Sequence, residues 1–363
     1  MMDNLRVLCV AKRWEHHTAS GGYDQLARAV GAEVIMRRLR RNLLHRVKGR
    51  LWREFSHPNP YLLDYRYEDW LVERQVLHCS RLRPPDVVHM LNGDEQPDLL
   101  LRQRRRLSCP LIASFHFPSH QVRQRFENTP RHLLAGIDLA VVVGRNQLQD
   151  FGTWLGSDRV IYVPHGIDTD RFSPGEPLPR RKCVRLITVG HHMRDWKALD
   201  AIITQCQARN LAVQFDIVTS EPGLSSSACL PNVHFHSRIP EEHLIQLYRK
   251  ADALLLPMCD ATANNAVLEA LACGTPVIST RVGGIPDYVD DRSAWLFEKA
   301  EVAPIVNLIG EIANKPEIVS SRRNAARSKG LVFSWKRVAE KMRAIYQAVA
   351  HHRRIEEVGA GWE

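Results

Sequence analysis

The chain has 363 residues, 44% hydrophobic and 25% charged, which excludes a disordered or fibrous protein and leaves room for two buried cores. Its net charge of +10 suits an anionic partner: a membrane surface, a nucleic acid or a phosphorylated substrate. The eight cysteines form no C-x-x-C pair, and no apolar run is long enough to span a bilayer or form a signal-peptide core, so a reduced, cytoplasmic protein is expected.

In chain order, the spacing of apolar residues predicts strands at Arg6–Ala11, Glu33–Met36, Asp86–Met90, Pro110–Phe115, Leu139–Val143 and Val160–Val163. Helices are predicted between them at Tyr23–Val30, Asp69–Arg81, Gln96–Leu107 and Asn146–Leu155. The stretch from Ser173 to Lys182, rich in Pro and charge, reads as a linker. The alternation restarts with strand Val184–Val189, helix Lys197–Ala208, strands Val213–Val218 and Val233–His236, and helix Glu241–Lys250. Strand Ala253–Leu256, helix Asn265–Cys273, strand Pro276–Ser279 and helices Ala303–Ala313 and Ser334–His351 complete it. Strands alternating with helices imply parallel sheets covered on both faces. The expected class is therefore α/β, with two Rossmann-like doubly wound domains facing a central cleft and a C-terminal helix returning toward the first domain. The boundaries are drawn at residues 1–172, a linker 173–183, a second domain 184–345 and a tail 346–363.

Three segments carry candidate chemistry. Gly21 and Gly22 follow the first strand and open a helix, where backbone amides can approach a phosphate; a tight turn needs the same glycines for geometry alone. They are not the G-x-G-x-x-G fingerprint of a dinucleotide site. In the second half, a polar loop after Pro257 leads into a helix carrying Glu269 and ending at Gly274-Thr-Pro276. That arrangement presents amides to a diphosphate and a carboxylate to ribose hydroxyls. Residues Arg37–Arg53 hold eight Lys or Arg and no acid, with Leu39, Leu43, Leu44, Val47 and Leu51 at helical spacing. Such a basic amphipathic helix suits an anionic membrane surface, or packs in the fold with an arginine-rich outer face.

The run Val267-Leu-Glu-Ala-Leu-Ala-Cys-Gly-Thr-Pro-Val-Ile278, followed by Val282-Gly-Gly-Ile-Pro-Asp287, resembles the donor-site signature of family 4 glycosyltransferases, retaining enzymes of the GT-B fold. Val163-Pro-His-Gly-Ile-Asp168, Arg171-Phe-Ser-Pro174, Ile239-Pro-Glu-Glu-His-Leu244, Leu247-Tyr-Arg-Lys-Ala-Asp252 and Phe333-Ser-Trp335 extend the resemblance. It covers most of residues 140–345; the first 140 residues match in layout more than in letters. The resemblance implies transfer of a sugar from a nucleotide sugar to a glycan, glycolipid or small-molecule acceptor, with no metal or other cofactor. It implies donor contacts at Gly21, Gly22, Arg238, Ile239, Asp260, Ala261, Thr262, Asn264, Asn265, Ala266, Val267 and Glu269. Glu269 matches the ribose-binding glutamate. The place of the sugar-binding glutamate holds Ala261, with Asp260, Asn264 and Asn265 as nearby substitutes. Arg194 and Lys197 are the available cations for the diphosphate, and His116 matches a histidine at a strand end near the transferred sugar; His89 and His165 also lie at strand ends. A GT-B module that binds without transfer and a sugar-nucleotide epimerase stand as alternatives, while nucleic-acid binding has only the net charge behind it.

Overall fold

The computed structural model describes residues 5–13, 22–37, 43–52, 62, 65–176, 183–221, 223–298 and 301–353. Contacts divide the chain into two compact units: the described residues up to Pro164 together with those from Lys336 onward, and His165–Trp335.

In the first unit β1 (Val7–Lys12), β2 (Glu33–Arg37), β3 (Val87–Met90), β4 (Leu111–Phe115), β5 (Leu139–Val142) and β6 (Val160–Tyr162) form one parallel sheet. Its order is β2-β1-β3-β4-β5-β6. Strands β1, β3, β4 and β5 are buried along their whole length, which is why they read as mostly apolar runs, while the edge strand β2 is partly exposed. Helices α1 (Asp24–Val30), α2 (Leu43–Leu51), α3 (Tyr67–Leu82), α4 (Leu99–Arg102), α5 (Ser119–Arg125), α6 (Arg131–Leu134) and α7 (Leu148–Leu155) connect them. The long helix expected at Gln96–Leu107 is instead α4 plus a single 3-10 turn at Arg104–Arg106. Buried Glu73 accepts the Asp98 and Leu100 N–H groups, and Arg104 turns away to the carbonyls of Gly136, Leu107 and Cys109.

The second unit repeats the plan with β7 (Val184–Val189), β8 (Val213–Val218), β9 (Val233–His236), β10 (Ala253–Leu256), β11 (Val277–Thr280) and β12 (Ala294–Phe297). Their order is β12-β11-β10-β7-β8-β9. Its helices are α8 (Trp196–Ala208), α9 (Glu241–Lys250), α10 (Asn265–Ala272), α11 (Ile285–Tyr288), α12 (Val302–Asn314) and α13 (Glu317–Val332). Strand β12 and helix α13 were not expected. Helix α13 exposes Ser320, Ser321, Asn324 and Ser328, and it is held by packing: it lies against α10, where a side chain on Gly330 would meet the Ala272 backbone N at 2.7 Å.

The contacts divide the chain at Pro164/His165, eight residues before the boundary expected after Phe172. Ile167 pairs with Ser334, and Arg327 binds the carbonyls of Thr169 and Phe172, so residues 165–172 pack with the second unit. The last helix, α14 (Trp335–Ala350), is counted with the first unit from Lys336 on, not from residue 346. There Val338, Met342, Ile345 and Tyr346 are buried, and the Tyr346 hydroxyl lies 2.7 Å from His89 Nδ1. The expected linker lies partly outside the described residues, at 177–182.

The basic segment also differs from expectation. Arg37 ends β2, buried against Asp69 (3.2 Å) and Glu68, so the segment is not one helix from 37 onward. Helix α2 begins at Leu43; residues 38–42 and 53 lie outside the described residues.

Candidate functional site

In a doubly wound parallel sheet, ligands bind beyond the carboxyl ends of the strands where the winding direction reverses. In the second unit that point lies between β7 and β10. The loops following these two strands are tied together there. Arg194 bridges Met258, the Cys259 N–H donates to the Met193 carbonyl (3.0 Å), and the Asp195 N–H donates to the Pro257 carbonyl (2.9 Å). Asp195 also caps α8, accepting from the Ala198 N–H at 2.9 Å.

Glu269 lies beside these loops on the inner face of α10, only 9% exposed. The Tyr248 hydroxyl donates to its Oε2 at 2.8 Å. Burial pushes the carboxyl up to about 7, against the opposing effects of that hydrogen bond and of Arg194. Tyr248 carries no signal in the sequence, because a partner 21 residues away on another helix leaves no local pattern.

Arg194 is placed differently from its expected role facing a diphosphate. Its Nε donates to the Val189 carbonyl at 3.0 Å, and its Nη1 to the His192 carbonyl at 2.9 Å and to Met258 Sδ at 3.1 Å. Burial lowers its pKa to about 10, with Tyr248 and Glu269 acting in the opposite sense. The guanidinium thus holds the loop together. Lys197, exposed on the first turn of α8, lines a groove of about 400 Å³ with Trp196, Asp200 and Ser225. The Asp200 carboxylate binds Ser225 and Ser227 hydroxyls and the Ser226 and Ser227 N–H groups, strapping residues 225–227 to α8.

The turn that faces Ala261 has a physical reason for glycine. Gly283 adopts φ +52°, and a Cβ there would lie 1.9 Å from the Ala261 carbonyl oxygen and 2.7 Å from Asp260 Oδ1. The Gly284 N–H donates to that same carbonyl at 2.9 Å. The Val282-Gly283-Gly284 turn therefore closes directly on the backbone of Asp260, Ala261 and Thr262. Asn264 is the N-cap of α10: its Oδ1 accepts from the Ala266 (3.1 Å) and Val267 (3.4 Å) N–H groups. Its Nδ2 faces Met258 Sδ at 3.9 Å. Asn264, expected at the sugar, thus serves as a helix cap, and the amides of Ala266 and Val267 already have an acceptor. Asn265 is exposed, and Arg238, at φ +53° and also exposed, precedes half-buried Ile239 on the turn after β9.

In the first unit the winding reverses between β1 and β3. Gly21 lies outside the described residues; Gly22 leads into α1 with φ +108°. His116, just past β4, is enclosed: its ring stacks on Tyr23 at 3.4 Å, and its Nε2 is 2.7 Å from the Leu91 carbonyl. His89 and His165 are also tied within the fold, to Tyr346 and Ser114, and to Tyr288 and the Gly166 carbonyl.

Each unit is a parallel six-stranded doubly wound sheet, and the pair constitutes the GT-B fold. Sucrose-phosphate synthase from Thermosynechococcus elongatus shares it, with a TM-score of 0.72 at 16% identity over 96% of this chain and 100% of that one. So does HepE of Anabaena in complex with UDP-glucose, with a TM-score of 0.66 at 13% identity over 95% of this chain and 100% of that one. Residues 23–171 match the profile described as Glycosyltransferase Family 4, and residues 183–315 the one described as Glycosyl transferases group 1. The chain belongs to the family 4 glycosyltransferases. A D-inositol 3-phosphate glycosyltransferase of Geodermatophilus obscurus is 30% identical over 294 residues, 68% of this chain and 63% of the relative. Across three curated relatives of that description, the aligned region spans 50%, 63% and 61% of their length.

Proposed function

We propose that the chain transfers a hexose from a nucleoside-diphosphate sugar to an acceptor hydroxyl, with retention at the anomeric carbon and without a metal ion. The observation that supports this best is Glu269. It is a buried carboxylate gripped on one oxygen by Tyr248, at the winding reversal of the second sheet, beside two loops tied together. A carboxylate so placed accepts ribose hydroxyls and fixes the nucleotide. Lys197 is then the cation beside the leaving diphosphate, whose growing charge it offsets, while Arg194 shapes the loop it leaves. One diphosphate oxygen accepts the proton of the incoming hydroxyl.

The acceptor we favour carries a phosphate. The relative named above acts on D-inositol 3-phosphate by its description, and the net charge here is +10. We also propose that α2 rests on an anionic membrane: Val47 and Leu51, one turn apart, are 48% and 50% exposed, and Lys48 and Arg50 are exposed beside them.

The test is release of UDP or GDP from UDP-glucose and GDP-mannose, with D-inositol 3-phosphate, glucose 6-phosphate or anionic vesicles as acceptor and with or without EDTA. Release that depends on an acceptor and survives EDTA supports the reading. A second reading, nucleotide binding without transfer, is favoured by two features: the α10 amides capped by Asn264, and the Arg194 guanidinium committed to carbonyls. Thermal stabilisation by a nucleotide sugar with no release of nucleotide would select it.

A further inference from the structure

Three loops meet at the winding reversal of the first sheet, and one histidine joins them. The loop after β1 contributes Tyr23, whose ring lies parallel to the His116 imidazole, 3.4 Å away and inclined by 6°. The loop after β3 contributes the Leu91 carbonyl, 2.7 Å from His116 Nε2. A carbonyl can only accept, so Nε2 carries the proton and donates it inward. The same loop contributes Asp94, which is 2% exposed. Its two oxygens accept the His116 N–H at 3.0 and 2.9 Å, and Oδ1 also accepts the Phe117 N–H at 3.0 Å.

The β3 loop is itself anchored at both ends. The Gly93 N–H donates to the Ser114 carbonyl at 2.7 Å, and a Cβ on Gly93 would lie 2.7 Å from that oxygen. Next to Asp94, Glu95 pairs with the buried Lys12 ammonium at 2.6 Å, and Lys12 also binds Asp69 at 2.9 Å. The Phe117 carbonyl accepts from Gln147 Nε2 at 2.9 Å. So much converging order at the point where such sheets bind ligands needs a reason beyond packing, since loops there are normally free to vary.

We propose that Asp94 and Tyr23 are positioning residues for the sugar-transfer step: they fix the His116–Phe117 backbone beyond β4, and His116 serves by holding that strand end, not by exchanging a proton. The inference rests on the transfer reaction proposed above. A base or acid needs a ring nitrogen that substrate can reach, whereas the imidazole here is covered on one face by Tyr23, its Nε2 proton is given to Leu91, and its Nδ1 is buried. The ionisable groups around it are Tyr23, Asp94 and Glu95, with Arg125 acting on Asp94 and Lys12 on Glu95.

The experiment follows turnover as UDP or GDP release from UDP-glucose and GDP-mannose with D-inositol 3-phosphate, together with NMR of the imidazole Nε2–H. Tyr23→Ala and Asp94→Ala should each lower kcat roughly tenfold to a hundredfold, the effect of displacing a reacting geometry by about 1 Å, with donor KM within about threefold. Tyr23→Phe, which keeps the ring, should restore most of the rate, and Asp94→Asn should fall between wild type and alanine. The Tyr23→Ala/Asp94→Ala double variant should be little worse than the poorer single variant, because both act through one strand end. The kcat–pH profile should keep its wild-type shape in all of these and in His116→Asn.

In the wild type the Nε2–H should exchange slowly and be shielded by the Tyr23 ring; in Tyr23→Ala both properties should be lost. Loss of one limb of the pH profile in His116→Asn would overturn the proposal by showing a proton-transfer role. Wild-type kcat in both alanine variants would overturn it as well. If the alanine variants do not fold, Tyr23→Phe, Asp94→Asn and the imidazole signal decide. A wild-type chain that releases no nucleotide from either donor would instead overturn the proposed function, and the imidazole signal would still report whether Tyr23 holds His116.

Discussion

Replacing Glu269 by Gln should make the protein more stable and worse at binding nucleotide, and the size of the first effect should depend on pH. Gln keeps the shape and still accepts the Tyr248 hydroxyl, so the substitution removes only the charge. Burial raises this carboxyl from 4.5 to about 7 in the folded chain. A group whose folded pKa is raised binds more protons folded than unfolded across that interval. Stability therefore falls as pH rises from 4.5 toward 7 and is level above it. The interval of about 2.5 units, at about 1.4 kcal/mol per unit, sets an upper figure of roughly 3 kcal/mol for the cost of the ionised carboxylate. Urea unfolding at pH 3 should find the variant and wild type equal, because both side chains are then essentially neutral in both states, and the difference at pH 4 should be only a few tenths of a kcal/mol at most. At pH 8 the variant should be more stable by about 1–3 kcal/mol, other titrating groups cancelling in the comparison. UDP binding should weaken roughly tenfold to a hundredfold, the loss of charge-assisted hydrogen bonds to hydroxyls. An equal stability difference at pH 3 and pH 8 would refute the electrostatic account of this site.

Other outcomes follow from neighbouring contacts. Gly283→Ala should cost about 2 kcal/mol or more and weaken nucleotide binding, since its Cβ meets the Ala261 carbonyl at 1.9 Å with the backbone at φ +52°; urea unfolding with and without UDP measures both. Burial alone would raise the Asp200 carboxyl, but the hydroxyls and amides of Ser227, Ser226 and Ser225 outweigh it and hold the group well below its ordinary 3.8. Its stabilisation is present above that value and lost as pH falls through the folded pKa. Asp200→Ala should thus cost about 1 kcal/mol at pH 7 for this partly exposed cluster, with the gap to wild type closing below about pH 4 in urea titrations. Lys197→Ala should lower kcat roughly a hundredfold with unfolding unchanged, as for loss of a group facing transition-state charge; near-normal turnover would remove it from the mechanism. Val47→Asp with Leu51→Asp should reduce co-sedimentation with phosphatidylserine vesicles and leave turnover of soluble acceptors unaltered.

Apart from β12, the strands of both sheets were legible, most plainly where burial on two faces writes itself as unbroken apolar runs, as in Leu139–Val142 and Ala253–Leu256. Helix α10 was equally plain, since its apolar run and the Gly274-Thr-Pro276 stop that ends it are local properties. What the sequence hid is non-local or depends on orientation. Arg194 reads as a cation for a phosphate, yet its nitrogens turn to the carbonyls of Val189 and His192. Asn264 reads as a polar ligand, yet the helix it precedes claims its oxygen. Helix α13 was missed because its apolar stripe is thin and small, built around Ala326 and Gly330, whose value lies in close approach to α10 and not in hydrophobic bulk. Tyr23, Asp94 and Tyr248 matter through partners 93, 22 and 21 residues away, which no period can announce.

Helix α14 imposes an order on the birth of the protein. A ribosome completes residues 165–335 as an uninterrupted stretch, and the second unit is whole as soon as they emerge. The first unit, though made earlier, lacks until then the helix whose Val338, Met342, Ile345 and Tyr346 are buried and whose Tyr346 hydroxyl meets His89. The unit synthesised first is finished last, so a truncation within α14 would injure the strands made before residue 165, and nascent chains stalled before residue 336 should be sensitive to protease in the first unit and resistant in the second.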